Sequence, residues 1–279
     1  MDVSGSMTLP WCVKFDGALC VISETRIASA KRAMIAFVQN STEDKPGTKG
    51  DYVGLVTYSS WDCAPECGRV RFGIANMNAL NKQALIDVIN SLIVGGGTPI
   101  GSGLDMANQE LLNLNSNIPT STARTGVNKV PKYIVMATDG YQNVAPSPYQ
   151  ASTTSAPASI LQFTKNNNIA LFTVGIGDDV QAQVALAGCI GCPTNSDGLT
   201  TSGELVMKDM ACFTDSIDSD PLKRCNLAQK DSDTATNDIT SPRNYFYAPS
   251  ADELTLIYTR MINRLLGSLW YVIYDQVNT

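Results

Sequence analysis

The first residues of the chain carry side-chain oxygen atoms at alternate positions. Asp2, Ser4 and Ser6 supply one carboxylate and two hydroxyls, and Gly5 stands between the two serines. Three oxygen ligands on one side of a tight turn suit a small, hard cation. A serine-rich turn that caps the next helix would contain the same residue types. This segment by itself therefore leaves both interpretations open.

Two later segments carry oxygen ligands of the same kind. A glycine run at 95–97 leads to Thr98, and an apolar run at 134–137 is followed by Thr138 and Asp139. Each segment stands at the junction between a predicted element and a helix. Taken in this order, the three segments resemble the metal-ion-dependent adhesion site of the von Willebrand factor type A family.

The resemblance extends from Asp2 to about Leu266 and implies a set of metal ligands. In this family, the Asp and both Ser of the first segment, the Thr of the second and the Asp of the third surround one divalent cation, usually Mg2+, directly or through water. The matching positions in this sequence are Asp2, Ser4, Ser6, Thr98 and Asp139. The resemblance implies binding rather than catalysis, because one coordination position stays open for an Asp or Glu carboxylate of a partner protein.

The chemistry of these ligands favours one metal over the others. Three of the implied ligands are neutral hydroxyls, so a bound cation would keep positive charge to offer an incoming anion. Few charges and compact loops favour Mg2+ over the carboxylate-rich cage that is typical of Ca2+. Ca2+ and Mn2+ are the alternatives for the same site.

A narrower resemblance lies just before the last predicted helix. The run at 244–254 is similar to bacterial surface proteins of the tight-adherence pilus (TadG-like) type, with pilus-tip adhesins as the alternative. This resemblance implies an exported adhesion or pilus-assembly module that is secreted or held at the cell surface. The competing hypothesis is a structural filament or shell subunit whose metal only holds the loops together.

Composition limits the size and the partners of the protein. With 279 residues, of which 44% are hydrophobic and 16% charged, the chain can bury one substantial core. The formal net charge is -6 and no basic run accompanies it, which argues against a nucleic-acid partner.

Several features argue against an enzyme. The chain has no histidine, which excludes Ser-His-Asp and Cys-His catalysis and any histidine-ligated zinc or iron site. Phosphatases of similar topology carry a second Asp two residues after the nucleophile, whereas Ser4 follows Asp2 at that spacing here. The segment 95–101 also lacks the Lys-Ser/Thr pair of a phosphate-binding loop.

The chain contains eight cysteines. An even number in sequence-local pairs predicts disulfide bonds and an oxidising, extracytoplasmic compartment. The most local pairing joins Cys12 to Cys20, Cys63 to Cys67, Cys189 to Cys192 and Cys212 to Cys225. A four-thiolate zinc site built from the last four cysteines is the alternative, although twelve residues separate its second pair instead of the usual two to four.

Alternating buried strands and amphipathic helices predict the elements that position these residues. Helices are predicted at 26–40, 82–94, 99–111, 159–166 and 180–187, with a last helix capped by Ser250. Strands are predicted at 52–58, 70–74, 133–137, 169–176 and 245–247. This order is typical of an α/β fold with a doubly wound, mostly parallel, Rossmann-like sheet and one antiparallel edge strand.

The predicted domain covers residues 1–266. Because only Met1 precedes the first ligand, the first strand and an export signal are expected upstream of residue 1. A cysteine-rich insertion is predicted at 188–243, where polar residues are frequent and no period is sustained.

The C-terminal extension at 267–279 is predicted to form a strand. It belongs to an apolar stretch at 265–274, which is shorter than the about 20 residues that span a bilayer. A membrane-touching segment is the alternative, and any other membrane contact would come from regions outside this chain.

The predicted fold also locates the loops. Ligand sites of a doubly wound sheet lie outside the carboxyl ends of its strands. An irregular excursion at 8–24 and the loop at 59–69 are therefore expected at the metal-binding end of the sheet, where they would frame the site. The insertion at 188–243 is expected to leave from the opposite end.

Overall fold

The structure, a computed structural model, describes residues 1–16, 19–43, 50–63, 67–117, 132–140, 142–151, 159–182, 184–185, 192, 199–215 and 244–261. The strands are β1 (Pro10–Asp16), β2 (Leu19–Thr25), β3 (Tyr52–Tyr58), β4 (Gly68–Asn76), β5 (Lys132–Thr138), β6 (Ile169–Ile176), β7 (Val184–Ala185), β8 (Thr200–Thr201) and β9 (Tyr245–Ala248). The helices are α1 (Arg26–Asn40), α2 (Ala79–Ser91), α3 (Ile100–Asn117), α4 (Ile160–Asn166), α5 (Gly203–Asp215) and α6, which is described over 251–261.

The first three residues join two groups of strands into one layer. Strands β3 and β4 pair antiparallel, while β5, β6 and β9 pair parallel. Asp2 forms a parallel bridge with Tyr58 of β3, and its amide donates to the carbonyl of Ala137 in β5 over 3.1 Å. The order across the layer is therefore β4, β3, residues 1–3, β5, β6 and β9. Only β4, at one edge, runs against the others.

Helices cover both faces of this layer. Successive residues of β5 alternate between the two apolar cores, as the period of a strand requires. One core lies under α1, α2 and α6 and contains Ala137 and Val174. The other lies under α3, α4 and α5 and contains Met136 and Leu171. The chain thus has the mixed, doubly wound α/β fold with an antiparallel edge strand that the sequence predicts.

The boundaries of the helices follow from their capping residues. Thr25, Asn78 and Ser159 each accept a hydrogen bond from the backbone three residues on, at the starts of α1, α2 and α4. Ser250 does the same for the amide of Glu253, so the predicted cap of the last helix is confirmed. Over the residues that the structure describes, none of these helices combines the length and the apolar character needed to cross a membrane.

Three local predictions are wrong. The segment 8–24 is an antiparallel hairpin of β1 and β2 rather than an irregular excursion, because its two halves pair with each other. The predicted helix at 180–187 is a 3-10 turn, Asp178–Gln181, followed by the two-residue strand β7. The predicted insertion contains the helix α5, whose apolar face is completely buried against β6. The polar residues around this segment in the sequence obscured its helical period.

The described cysteines are in disulfide bonds. Cys63 is joined to Cys67, which is the pairing predicted for that loop. Cys192 and Cys212 are also disulfide-bonded and therefore do not supply the free thiolates of the alternative zinc site. Cys189 and Cys225, and the side chains of Cys12 and Cys20, lie outside the described residues, as does the extension at 267–279.

Candidate metal centre

Three loops meet at the carboxyl ends of the central strands. Asp2, Ser4 and Ser6 lie in the first loop, which continues into a 3-10 turn at Gly5–Thr8. Thr98 lies directly before α3, and Asp139 follows the last residue of β5. The sequence-predicted ligands therefore come from three separate stretches of the chain and reach the same edge of the sheet.

A chain of hydrogen bonds connects four of these residues. The Ser4 amide donates to Oδ1 of Asp2 over 2.7 Å. The hydroxyls of Ser4 and Ser6 are 3.0 Å apart, and the Ser6 hydroxyl donates to Oδ1 of Asp139 over 2.7 Å. The other oxygen of Asp2, Oδ2, accepts from the Thr138 hydroxyl over 2.6 Å. The structure thus brings Asp2, Ser4, Ser6 and Asp139 into one cluster.

Thr98 reaches the same cluster across a glycine. A Cβ built on Gly140 would lie 3.4 Å from Oγ1 of Thr98 and 3.7 Å from Oγ of Ser6. The space that a side chain at Gly140 would fill is therefore bordered by two of the predicted ligand hydroxyls. Ser6 thus connects Thr98, across this space, to the hydrogen-bonded cluster of Asp2, Ser4 and Asp139.

Further hydrogen bonds hold the loops in place. The Gly5 amide donates to the carbonyl of Gly96 over 2.8 Å, which ties the first loop to the second. The Thr98 amide donates to Oδ1 of Asn143 over 2.7 Å, and the Asn143 amide donates to the Thr98 carbonyl over 3.2 Å. This reciprocal pair ties the second loop to the third.

The disulfide-closed loop also packs against the second loop. The Ser60 hydroxyl accepts from the Gly97 amide over 2.6 Å, and the Ser60 amide donates to the Gly97 carbonyl over 3.0 Å. The Ser59 hydroxyl donates to the carbonyl of Gly95. The loop that carries Cys63 and Cys67 thus lies at the predicted end of the sheet.

The region around α5 departs from prediction. Asp179, in the 3-10 turn after β6, lies at the same end of the sheet as Asp139, because both contact Arg26. Gly203, the first residue of α5, packs against the carbonyl oxygen of Gly140. The 3-10 turn that precedes the predicted insertion and the first residue of α5 therefore both lie at the end of the sheet that carries the site. Gly188, where the insertion is predicted to begin, lies outside the described residues.

The two carboxylates are unusually buried. Asp2 and Asp139 are both 0% exposed, and Ser4 and Thr98 are 1% and 3% exposed. Burial, followed by the charge of Asp139, raises the pKa of Asp2 to about 6. Burial also raises the pKa of Asp139, although hydrogen bonds from Ser6 and Arg26 oppose the change. Two buried carboxylates that disfavour each other's charge make a region that a cation would stabilise.

Arg26 is the functional residue that the sequence analysis misses. It is the first residue of α1, and its Nη1 donates to Oδ2 of Asp139 over 3.0 Å. Nη2 lies 2.7 Å from Oδ2 of Asp179. A basic residue at a helix N-terminus is unfavourable, because its charge opposes the helix dipole. This unfavourable position could have indicated from the sequence that Arg26 pairs with a carboxylate. Thr138, which anchors Asp2, was visible in the motif without an assigned role.

The cluster fits a small divalent cation. Hard cations of this kind prefer oxygen ligands, and the region beside Gly140 is bordered by the hydroxyls of Thr98 and Ser6, the second of which bonds to the Asp139 carboxylate. Among the described residues, no group of three or more Asp, Glu or Cys side chains could hold a metal ion, so an acid-rich cage is not formed there. The donor set is instead the mixture of hydroxyls and two carboxylates that the sequence motif implies.

Comparisons with known proteins agree with this geometry. The model of the von Willebrand factor type A domain matches residues 1–197. No curated protein matches the sequence. Among solved structures, the chain is similar to the pilus adhesin SpaC from Lactobacillus rhamnosus GG in its open conformation, with 15% identity, a TM-score of 0.53, and coverage of 96% of this chain and 29% of the adhesin.

A second solved structure shares the fold. The chain is similar to the PilB minor pilin from Streptococcus sanguinis, with 13% identity, a TM-score of 0.52, and coverage of 97% of this chain and 61% of the pilin. The chain spans less than two thirds of either protein. At these identities, the similarity is one of fold.

Proposed function

Because the chain belongs to the von Willebrand factor type A family, we propose that it is a surface adhesion or pilus-assembly module that binds a partner protein through a divalent cation. The cation is Mg2+, with Ca2+ and Mn2+ as alternatives, and the partner supplies an Asp or Glu carboxylate. The observation that carries this proposal is the convergence of Asp2, Ser4, Ser6, Thr98 and Asp139 on one buried region.

Each residue of the site has a role in this proposal. Ser4, Ser6 and Thr98 supply neutral oxygens, while Asp2 and Asp139 supply the negative charge. The bound ion would supply an electrophilic position for an incoming carboxylate. Thr138 and the Ser4 amide orient Asp2 by occupying one lone pair on each of its oxygens. These hydrogen bonds fix the orientation of the Asp2 carboxylate within the first loop.

The same geometry argues against a nucleophilic role for Asp2. Its carboxylate is fully buried, and both oxygens already accept hydrogen bonds. The position two residues on is Ser4, which cannot act as a carboxylic general acid. We therefore propose a binding module rather than an enzyme.

An extracytoplasmic location is part of the proposal. The disulfide between Cys63 and Cys67, and those at Cys192 and Cys212, are stable in an oxidising compartment. The names of the two similar structures, a pilus adhesin and a minor pilin, support a surface role.

A structural subunit is the second candidate function. The hydrogen bonds from Ser6 to Asp139 and from Gly5 to Gly96 join the three loops, so a cation could serve only to strengthen the same connections. In that case, metal binding would stabilise the protein without creating affinity for carboxylates.

A surface that carries carboxylates separates the two functions. Binding of the protein to carboxylate-terminated and amide-terminated monolayers is measured by surface plasmon resonance, in Mg2+ and in EDTA. We expect Mg2+-dependent binding to the carboxylate surface alone, since the net charge of -6 opposes binding without the ion. Equal binding in both buffers would contradict the adhesion function and leave the structural one.

Thr98→Ala tests the site itself. It keeps both carboxylates and removes one neutral ligand, so the Mg2+ affinity measured by calorimetry should fall about tenfold or more while the protein stays folded. Thr259→Ala is the matched control, because its hydroxyl bonds only within α6 at an exposed position. An unchanged affinity in Thr98→Ala would show that the ion lies elsewhere.

A further inference from the structure

The local sequence does not explain why Arg26 occupies a buried position at the start of α1. The side chain is buried, and its Nε has no hydrogen-bond partner among the residues that the structure describes. A buried unpaired donor costs free energy, and a cation in the first turn of a helix opposes the helix dipole. Both features disfavour Arg at this position, so a compensating interaction must hold it there.

The compensating interaction is with Asp139. Nη1 of Arg26 donates to Oδ2 of this completely buried carboxylate over 3.0 Å. Asp179, the other partner, is 55% exposed in its side chain, so solvent screens its contribution. The ion pair with Asp139 therefore dominates the placement of Arg26.

The backbone around Arg26 is shaped to admit the guanidinium. Gly177 has a φ of +70°, and a Cβ there would lie only 3.0 Å from Nε of Arg26. A larger residue would be strained in its backbone and would crowd the guanidinium. The hydrogen bond from the Arg26 amide to the Leu9 carbonyl, 3.0 Å, also fixes the start of α1 against the first loop.

The two faces of Asp139 are divided between Arg26 and the ligand cluster. Oδ2 is held by Arg26, while Oδ1 accepts from the Ser6 hydroxyl. The guanidinium therefore lies on the side of Asp139 that is turned away from Ser6. It can neutralise Asp139 without occupying the space beside Gly140.

We propose that Arg26 is a permanent counter-ion of the site, which keeps the loops assembled without metal and adjusts the charge of the metal-bound site to accept one carboxylate. Asp179 is left out of the charge count because solvent screens its exposed side chain. Arg26, Asp2 and Asp139 then leave one net negative charge, a divalent cation changes this to one positive charge, and a partner carboxylate neutralises it. Without Arg26, the metal-bound site would be neutral and would attract a carboxylate less strongly. This inference rests on the proposed metal-dependent function.

The test compares Arg26→Gln with the unchanged protein. Without metal, loss of the cation leaves Asp139 buried and unpaired, so the melting temperature in EDTA should fall strongly. Saturating Mg2+ should restore most of that loss, because the ion replaces the missing positive charge. The Mg2+ affinity measured by calorimetry should rise about tenfold, since a neighbouring cation no longer repels the ion.

Two variants serve as controls. Arg32→Gln removes an exposed Arg of the same helix, which pairs with Glu24, and should change neither quantity. Arg26→Lys keeps the positive charge, so its Mg2+ affinity should stay close to that of the unchanged protein even where its stability falls. The two controls separate the effect of charge at this position from a general effect on α1.

The outcomes are distinct. Equal destabilisation of Arg26→Gln in EDTA and in Mg2+, weaker Mg2+ binding by this variant, or failure to fold even in saturating Mg2+ would each overturn the inference. A variant that is unfolded in EDTA and folds on addition of Mg2+ would support it. If the unchanged protein binds no Mg2+, its own titration shows that the proposed function has failed, and this inference fails with it.

Discussion

Asp2 illustrates how one residue can be held in a state that is costly without its partners. Its carboxylate is buried beside a second carboxylate, and burial is the largest cause of its raised pKa. Hydrogen bonds from Thr138 and the Ser4 amide favour the charged form, but they do not fully compensate. The ionised form of Asp2 is therefore electrostatically unfavourable in the folded protein, and a bound cation would stabilise it.

This cost predicts how stability depends on pH in the absence of metal. The pKa of Asp2 is about 6 in the folded protein and 3.8 ordinarily, so folding takes up a proton between these values. The stabilising effect of protonation is complete below the lower value and is lost as pH rises through about 6. In EDTA, Asp2 should therefore contribute about 1 kcal/mol more to the free energy of unfolding at pH 5 than at pH 7.

Urea denaturation at pH 7, 6 and 5 measures this change. The chain has no histidine, but burial lowers the pKa of the Met1 amino group to about 5, and the resulting change in stability with pH opposes that of Asp2 in this range. The raised pKa of Asp139 acts in the same direction as that of Asp2. Asp2→Asn keeps the Met1 amino group, so the stability of the unchanged protein relative to this variant should rise by about 1 kcal/mol as pH falls from 7 to 5 in EDTA. A relative stability that stays constant or falls would contradict the prediction.

The residues of the site differ in how far the sequence alone can predict them. The five candidate ligands could be named because their types and their order in three short segments match a known motif. Arg26 could not be named, since its role depends on Asp139, which is far away in the chain and reaches it only after α1 and β5 pack together. Long-range charge pairing carries no local signature.

Among the elements, the second loop depends most on its neighbours. It contributes Thr98, yet its backbone is held by side chains from the disulfide-closed loop and from the segment after β5. These contacts fix the ligand without touching the metal region. Changes in them should therefore alter metal binding indirectly.

Asn143→Ala tests this dependence. It removes the acceptor of the Thr98 amide, which should cost about 1 kcal/mol of stability and weaken Mg2+ binding several-fold. Asn40→Ala is the matched control, because it removes a side-chain hydrogen bond to the Ala36 carbonyl in α1, away from the site. Calorimetry measures the Mg2+ affinity of both variants, and thermal unfolding measures their stability. Equal Mg2+ affinities would show that the hydrogen bond between Asn143 and the Thr98 amide is not needed for metal binding.

The predicted elements differ in how reliably they follow from local pattern. Helix α1 and strand β6 have their predicted boundaries, because each has a full amphipathic or apolar period and a clear cap or turn. The hairpin of β1 and β2 and helix α5 were missed, since both lie in cysteine-bearing stretches where pairing and burial, rather than local pattern, decide the structure.

The two apolar cores lie on opposite faces of the sheet and share the same strands. Along β6, Leu171 faces the core under α3, α4 and α5, whereas Val174 faces the core under α1, α2 and α6. Alternation along a strand couples the two layers, because disordering β6 would expose both. The fold class was predictable from the alternation of strands and helices, but this coupling depends on how residues 1–3 connect β3 to β5.

The coupling predicts a single unfolding transition. Leu171→Ala should cost about 2–5 kcal/mol, and Val174→Ala somewhat less, because both side chains are completely buried. Each variant should shift one common transition in calorimetry rather than split it, since neither core persists without β6. Leu80→Ala, at a position 82% exposed in α2, should leave the transition almost unchanged. Two separate transitions in either core variant would show that the layers unfold independently and that the metal loops between them are not held by the fold as a whole.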